Sequence, residues 1–350
     1  MNVQIDITQE ILQLVARIDE FKGRWQALKA IDRDRLTQLR RTAMIESIGS
    51  STRIEGSRMS DAQVETLLAN IEIQNFTSRD EQEVAGYAKA MDLVFDSWEY
   101  LKLDENHLFQ MHTTLLGFSS KDERHRGDYK SLDNHVAAFD PDGKPLGIIF
   151  ETSSPFDTPA HMHELIEWHH KTFTDGELHP LLRIGIFVVR FLAIHPFQDG
   201  NGRLSRILTT LLLLQADYSH VSYSSIERII EDNKEAYYRA LRSTQASFKG
   251  AKVDWEPWIL FFLRTLAKQC ELLHKKVSDH RILRAKQLSP FSVQVLQLFE
   301  QHPHLTNREI VALSRLNRNT VKKILSELVK DQLLVVEGKG RSVRYRIISQ

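Results

Sequence analysis

Apolar positions recur three and four apart through most of this 350-residue chain, the spacing of amphipathic helices. It predicts helices over 8–30, 33–48, 57–70, 80–100 and 104–118. Further helices are predicted over 159–174, 181–194, 203–216, 224–231, 233–246 and 255–280. Ser60 stands where an N-cap belongs, ahead of "DAQVETLLAN". The densest apolar run is "PLLRIGIFVVRFLAI" (180–194), which reads as a buried helix.

The rhythm breaks in "KDERHRGDYKSLDNHVAAFDPDGKPLGIIFETSSPFDTPA" (121–160), rich in Asp, Gly, Pro and Ser. "DPDGK" is a turn signal, and "NHVAAF" and "PLGIIFE" on either side predict a small β-hairpin. Residues 277–290 read as a connection closed by Pro290. Helices over 291–301, 307–313 and 317–330 follow, then two β-rich runs in "LLVVEGKGRSVRYRII". Helix, helix, helix, hairpin is the order of a winged helix-turn-helix. The expected fold class is therefore mainly α: a helical core with a β-hairpin flap, plus a C-terminal winged helix-turn-helix. The expected division is 1–78, 79–276, a linker over 277–290, and 291–350.

The chain carries 46 basic and 46 acidic residues, so as a whole it is no polyelectrolyte. Residues 285–350, however, hold 11 basic and 5 acidic ones, which leaves 1–284 net acidic by the same margin. That asymmetry makes the C-terminal module a candidate for nucleic acid. Cys270 is the only cysteine, so no internal disulfide forms and a reducing compartment is the simplest reading. No 18-residue apolar run reads as a membrane span, and the first 20 residues lack a signal-peptide pattern. A cytoplasmic protein without a membrane partner is expected.

The chemistry concentrates where the buried helix ends, at "HPFQDGNGRLSR" (195–206). A residue before proline disfavours the helical region, so the 181–194 helix stops at His195-Pro196 and a loop feeds the next helix. Gly200, Asn201 and Gly202 let backbone N–H groups converge beside the positive end of that helix, an arrangement suited to an anion. Arg203 and Arg206 share one helix face and suit a di- or triphosphate. Asp199 is placed to hold Mg²⁺ against such phosphates. His195, titrating near neutrality, is the natural general base. "GNGR" lacks the Lys and Ser/Thr of a P-loop. "HMHELIEWHH" (161–170) holds four histidines without the HExxH pattern and reads as packing rather than zinc ligation.

"HPFQDGNGRLSR" resembles, without a mismatch, the signature of Fic-domain proteins, HxFx(D/E)GNGRxxR, and the surrounding order over roughly 80–270 is similar to a Fic core. The resemblance implies transfer of AMP from ATP to a Ser, Thr or Tyr hydroxyl of a target protein or of the chain itself. By position, His195 would deprotonate the hydroxyl, Phe197 would anchor the loop, and Asp199 would bind Mg²⁺. The segment Gly200, Asn201, Gly202, Arg203, Leu204, Ser205 and Arg206 would hold the phosphates, with Arg203 on the β- and Arg206 on the γ-phosphate. Tyr237 or Tyr238 would lie near adenine. The hairpin would hold the target by strand addition.

"SSTRIEG" (50–56) resembles the family's inhibitory pattern (S/T)xxxE(G/N), with Ser51, Glu55 and Gly56 in register. That implies Glu55 pairing with Arg206 and excluding the γ-phosphate. Fic proteins of this kind are often homodimers. Two alternatives stand beside the transferase: a DNA-binding regulator using the Fic core as a nucleotide sensor, and removal of AMP with Glu55 positioning water. DNA would be met through 291–350. "NRNTVKKILSELVK" puts Val321, Ile324, Leu325 and Leu328 on one face, leaving Arg318, Asn319, Lys322 and Lys323 for a major groove.

Overall fold

The computed structural model describes residues 3–27, 33–71, 76–134, 136–139, 145–285, 288–302, 304–330, 333–338 and 343–347. The chain divides into two compact units, Met1–Leu273 and His274–Gln350. The helices expected in 1–78 thus belong to the same unit as the core.

The first unit opens with α1 (Gln9–Ala27), α2 (Arg33–Ile54), α3 (Asp61–Ala69), α4 (Arg79–Ser97) and α5 (Glu105–Leu115). Local chemistry starts three of these helices. Ser60 and Gln63 form a capping box at α3, and Ser78 and Glu81 form another at α4. Asp104 caps α5 by accepting from His107 N–H at 2.9 Å. α2 runs six residues beyond the predicted end. Its last turns, "GSSTRI", are polar yet buried, with Ser50, Ser51 and Thr52 fully enclosed where α2 packs on the later helices. Burial against neighbours overrides their poor helix propensity.

Strands β1 (Val136–Phe139) and β2 (Pro145–Phe150) pair antiparallel as the expected hairpin, Val136 opposite Phe150 and Phe139 opposite Pro145. The register slips between Val136 and Ala137 and between Ala138 and Phe139. The "DPDGK" turn (140–144) lies outside the described residues.

Then come α6 (Thr158–Asp175), α7 (Pro180–Ile194), α8 (Asn201–Gln215), α9 (Ile226–Asp232), α10 (Lys234–Ala246) and α11 (Glu256–Ala285). α7 and α8 are the centre of the unit. Every residue of α7 from Leu181 to Val189 is buried, as is every residue of α8 from Arg203 to Leu214. α4 packs close on α5 because Gly86 has no side chain: a methyl there would overlap the Leu115 carbonyl. α11 continues to Ala285, across much of the expected 277–290 linker. "KKVSDHRILRA" holds no Gly or Pro to stop it.

The second unit contains α12 (Pro290–Gln301), α13 (Asn307–Ser314), α14 (Arg318–Lys330) and the antiparallel pair β3 (Leu334–Glu337) and β4 (Arg344–Ile347). Leu305 bridges to Tyr345 as a third, single-residue partner. Val295, Leu296, Ile310, Val321, Leu325 and Leu328 form its core. Arg318, Asn319, Lys322 and Lys323 are exposed on the other side of α14. The middle of the "EGKGRS" turn lies outside the described residues.

Candidate active site

The site is the six-residue loop joining α7 to α8. His195 N–H still donates to the Phe191 carbonyl at 2.9 Å, but the residue then turns left-handed, with φ 54°. A non-glycine residue there is held by its surroundings, a strain that collects at functional sites. Pro196 removes the next donor, and Phe197 drops into the core. Its ring stacks on His112 with centroids 3.8 Å apart.

Asn201 locks the loop. Its Oδ1 accepts from Phe197 N–H at 2.9 Å, and its Nδ2 donates to the Phe197 carbonyl at 2.6 Å. The side-chain amide is therefore used within the loop and does not join an anion hole. Gly200 takes φ 82° as the N-cap, and the first helical bond runs from Leu204 N–H to the Gly200 carbonyl. The N–H groups of Asn201, Gly202 and Arg203 are the ones that no α-helix satisfies internally. They point to where an anion would sit.

Two buried guanidiniums flank that point. Arg203 Nη2 donates to Asp199 Oδ1 at 3.1 Å, and its Nη1 lies 3.7 Å from Glu83. Arg206 Nε donates to Ser51 Oγ at 2.7 Å, and its Nη2 donates to the Ser51 carbonyl at 3.0 Å and to Glu55 Oε1 at 2.8 Å. Burial opposes the Arg206 charge, but Glu55 and the neighbouring tyrosines hold its pKa above the usual arginine range. Arg203 Nε and Nη1 and Arg206 Nη1 are buried without hydrogen-bond partners. Glu55 lies directly over the α8 N-terminus, where a methyl on Gly202 would overlap its Oε1. The carboxylate thus occupies the position that suits a phosphate oxygen. Gly56, at φ 111°, ends α2 just beyond it.

His195 Nδ1 lies 3.2 Å from the Leu192 carbonyl, so Nδ1 carries the proton and Nε2 keeps its lone pair. Burial pushes the imidazole down to about 4, with Lys130 adding in the same direction. The expected titration near neutrality is thereby corrected. The ring is a neutral acceptor across the physiological range because its surroundings are desolvated.

At Asp199, burial raises the carboxyl pKa, but Arg203 and the Gly200 N–H outweigh it and hold the group low. Oδ1 accepts from Gly200 N–H at 2.5 Å and from Arg203, while Oδ2 lies 4.0 Å from Arg79. No cluster of three metal-ligating side chains occurs among the described residues. Asp199 therefore fits an ion that arrives on phosphates with its own water, as Mg²⁺ does, rather than a resident all-protein site.

These groups face a cavity of about 520 Å³. Glu55, His195, Asp199 and Arg203 line one side, Tyr237 and Tyr238 the other. Arg206 is not on the wall, since Glu55 stands in front of it. Leu204 and Ser205 also fall away from the cavity. Leu204 is fully buried in the core, and the Ser205 hydroxyl bonds back to the Gly202 carbonyl at 2.7 Å. Tyr237 packs on Trp258 and Phe261, whereas Tyr238 is the more open ring.

Sequence reasoning missed the groups that aim the loop. Asn134 Nδ2 donates to the carbonyls of His195, at 3.1 Å, and Phe197, at 2.6 Å. Lys130 Nζ, buried, donates to Asn134, Thr152 and the Ile194 carbonyl. Burial lowers Lys130 to about 8. His112 accepts from Gly127 N–H at Nδ1, so its Nε2–H donates to the Asp199 carbonyl at 3.0 Å.

The first unit is a helical core in which a short loop, opened by a left-handed histidine, leads into the start of a buried central helix. Residues 102–213 match the Fic/DOC family, and the chain carries a Fic domain. It is 25% identical over 278 residues to a Drosophila willistoni protein named protein adenylyltransferase Fic, covering 78% of this chain and 51% of that one. The D. melanogaster protein of the same name is 25% identical over 267 residues, covering 75% and 49%. The chain thus spans about half the length of these curated relatives. Among solved structures, a Fic family protein from Desulfovibrio desulfuricans aligns over 100% of this chain and 99% of its own, at 24% identity and a TM-score of 0.66. C. elegans Fic-1 (aa134–508) aligns over 77% and 73%, at 18% identity and a TM-score of 0.59. The fold is that of Fic proteins. Among the described residues, no helix is long and apolar enough to cross a membrane.

Proposed function

We propose that the chain is a protein adenylyltransferase, moving AMP from ATP to a Ser, Thr or Tyr hydroxyl of a target protein and of itself, restrained in cis by Glu55. The observation that carries this reading is the α8 N-terminus flanked by Arg203 and Arg206 and covered by the Glu55 carboxylate, with a neutral His195 on the same cavity. The target oxygen attacks the α-phosphorus and its proton passes to His195 Nε2. The new O–P bond forms as the bond to the β-phosphate breaks, and pyrophosphate leaves. The N–H groups of Asn201, Gly202 and Arg203 hold phosphate oxygens, Arg203 binds the β-phosphate, and Arg206 takes the γ-phosphate once Glu55 moves away. Tyr238, the open ring, faces adenine. Asp199 would hold Mg²⁺, which supplies charge neutralisation on the phosphates. The β1–β2 hairpin takes the target backbone as an added strand.

The experiment supplies ATP labelled on the α-phosphate with Mg²⁺ to wild type, Glu55→Gly and Glu55→Gly/His195→Ala, with cell lysate as target. Label on protein with Glu55→Gly, absent from the double variant, is the expected result. Label in none of the three sinks the transferase reading.

For the second unit we propose a winged helix that meets duplex DNA through α14. Its exposed Arg318, Asn319, Lys322 and Lys323, opposite a fully buried face, support this. Binding that does not weaken with added salt would count against it.

A further inference from the structure

A second cavity, of about 380 Å³, lies at the far end of the two helices that carry the catalytic loop. Arg183, in the first turn of α7, and Gln215, the last residue of α8, both line it, together with Trp98, His169 and Phe173. Arg183 and His195 are 12 residues apart on one helix, roughly 18 Å. This cavity is therefore separate from the one described above, and nothing argued for it rests on the nucleotide reading.

Gln215 and His170 are hydrogen-bonded to backbone carbonyls, but two other polar groups of the lining, Arg183 and His169, are buried with unpaired nitrogens. Arg183 is 4% exposed, its Nε has no hydrogen-bond partner, and it forms no ion pair among the described residues. The Phe173 ring lies against its guanidinium, 4.8 Å from centroid to Cζ. Phe173 itself is 59% exposed, unusual for a large apolar ring. His169 is 6% exposed and neither ring nitrogen has a partner. Burial pushes it down to about 3, so at pH 7 it is neutral and offers one donor and one acceptor. Lys102 and Glu99 are both exposed at the rim and offset each other. One buried positive charge is left without a counter-charge.

A buried cation is costly unless something pairs with it. Among the described residues no carboxylate pairs with this guanidinium, yet the chain leaves room beside it and walls that room with indole, phenyl and aliphatic carbon. We infer that this cavity binds a small organic carboxylate with an apolar body. The guanidinium fork matches a carboxylate in shape and charge. A single buried cation balances a monoanion, whereas a phosphate dianion would need further donors. Trp98, Phe173 and Leu212 take the apolar body, and His169 orients the polar end.

The probe is 2-naphthoate, with the neutral 2-naphthamide as its shape control, titrated calorimetrically into the full chain. A ligand of about 13 non-hydrogen atoms should bind with a Kd on the order of 1 mM. The amide should bind at least about tenfold more weakly, since it lacks the charge-assisted pair. Arg183→Met should lose naphthoate binding by the same factor and should melt no lower than wild type, because it removes a charge that has no partner. Equal affinity for acid and amide overturns the inference in the wild-type protein alone. So does undiminished naphthoate binding to Arg183→Met, a lower melting temperature for that variant without ligand, or no binding at about ten times the expected Kd.

Discussion

Replacing Glu55 by Ala should raise the affinity for ATP while leaving the affinity for AMP nearly unchanged. Arg206 is held by three hydrogen bonds, two to Ser51 and one to Glu55. Removing the carboxylate leaves both Ser51 bonds, so the guanidinium stays aimed at the cavity with a newly vacant side. A hydrogen bond to a charged group contributes about 1.5–3 kcal/mol. Glu55 keeps 33% of its side-chain surface, so solvent screening favours the lower end. About 1.4 kcal/mol is a factor of ten, which sets the expected gain in ATP affinity. AMP has no γ-phosphate to meet Arg206, and its gain should stay within about twofold. Calorimetric titration of wild type and Glu55→Ala with each nucleotide, without any target, checks this. An equal gain for both nucleotides would mean that Glu55 acts by bulk and not by competing for Arg206. No gain for ATP would remove Glu55 as a competitor altogether.

Three further outcomes follow from the site. Asn134→Ala, made in the Glu55→Gly background, should lower the transfer rate by about ten- to a hundredfold with ATP affinity kept, because it frees the His195 and Phe197 carbonyls that fix the start of the loop; loss of ATP affinity in parallel would assign Asn134 to binding. Phe197→Ala should lower unfolding stability by roughly 3–5 kcal/mol in a denaturant titration, since the ring is fully buried against His112; a loss below about 1 kcal/mol would contradict the anchoring role. His112 and His220 are each pushed down to about 4 by burial, and His169 to about 3. Between those values and about 6.5 the unfolded chain binds more protons than the folded one, so stability rises with pH there and is lost as pH falls from about 6.5 towards 4. Each such histidine adds about 1.4 kcal/mol per pH unit to that slope, and a melting temperature that is flat from pH 6.5 to 4.5 would show that the rings are not desolvated.

The loop was legible because its chemistry is contiguous. Histidine, acid, glycines and arginines stand within 12 residues, and the helices on either side announce themselves by periodicity. One helix start was legible for the same local reason, Ser60 carrying the cap of α3. What escaped the sequence depends on contacts across the fold. The last turns of α2 are polar and gave no apolar stripe, yet they are buried by distant helices. Asn134 and Lys130 lie in a stretch of Asp, Ser and Gly with no period at all, and only the folded chain brings them under His195. The titration of His195 escaped likewise, since desolvation is a property of surroundings and not of residue type. Leu204 and Ser205, drawn into the site by their place in the motif, sit on faces of α8 turned away from the cavity.

Arg53, two residues before Glu55, pairs with Glu231 at 2.6 Å and Asp61 at 2.9 Å and donates to the Met59 carbonyl at 2.8 Å. The end of α2 is thus bolted to α9 and to the start of α3. If Glu55 restrains the site as proposed, a carboxylate fixed in this way acts as a tethered competitor, with an effective concentration of the order of millimolar or above. Dilution cannot remove it, and a modest rise in nucleotide cannot displace it. On the proposed reading, output then depends weakly on how much ATP is present. It depends strongly on whatever loosens the bolt at Arg53, and control passes from the fuel supply to a mechanical event where α2 meets α3 and α9.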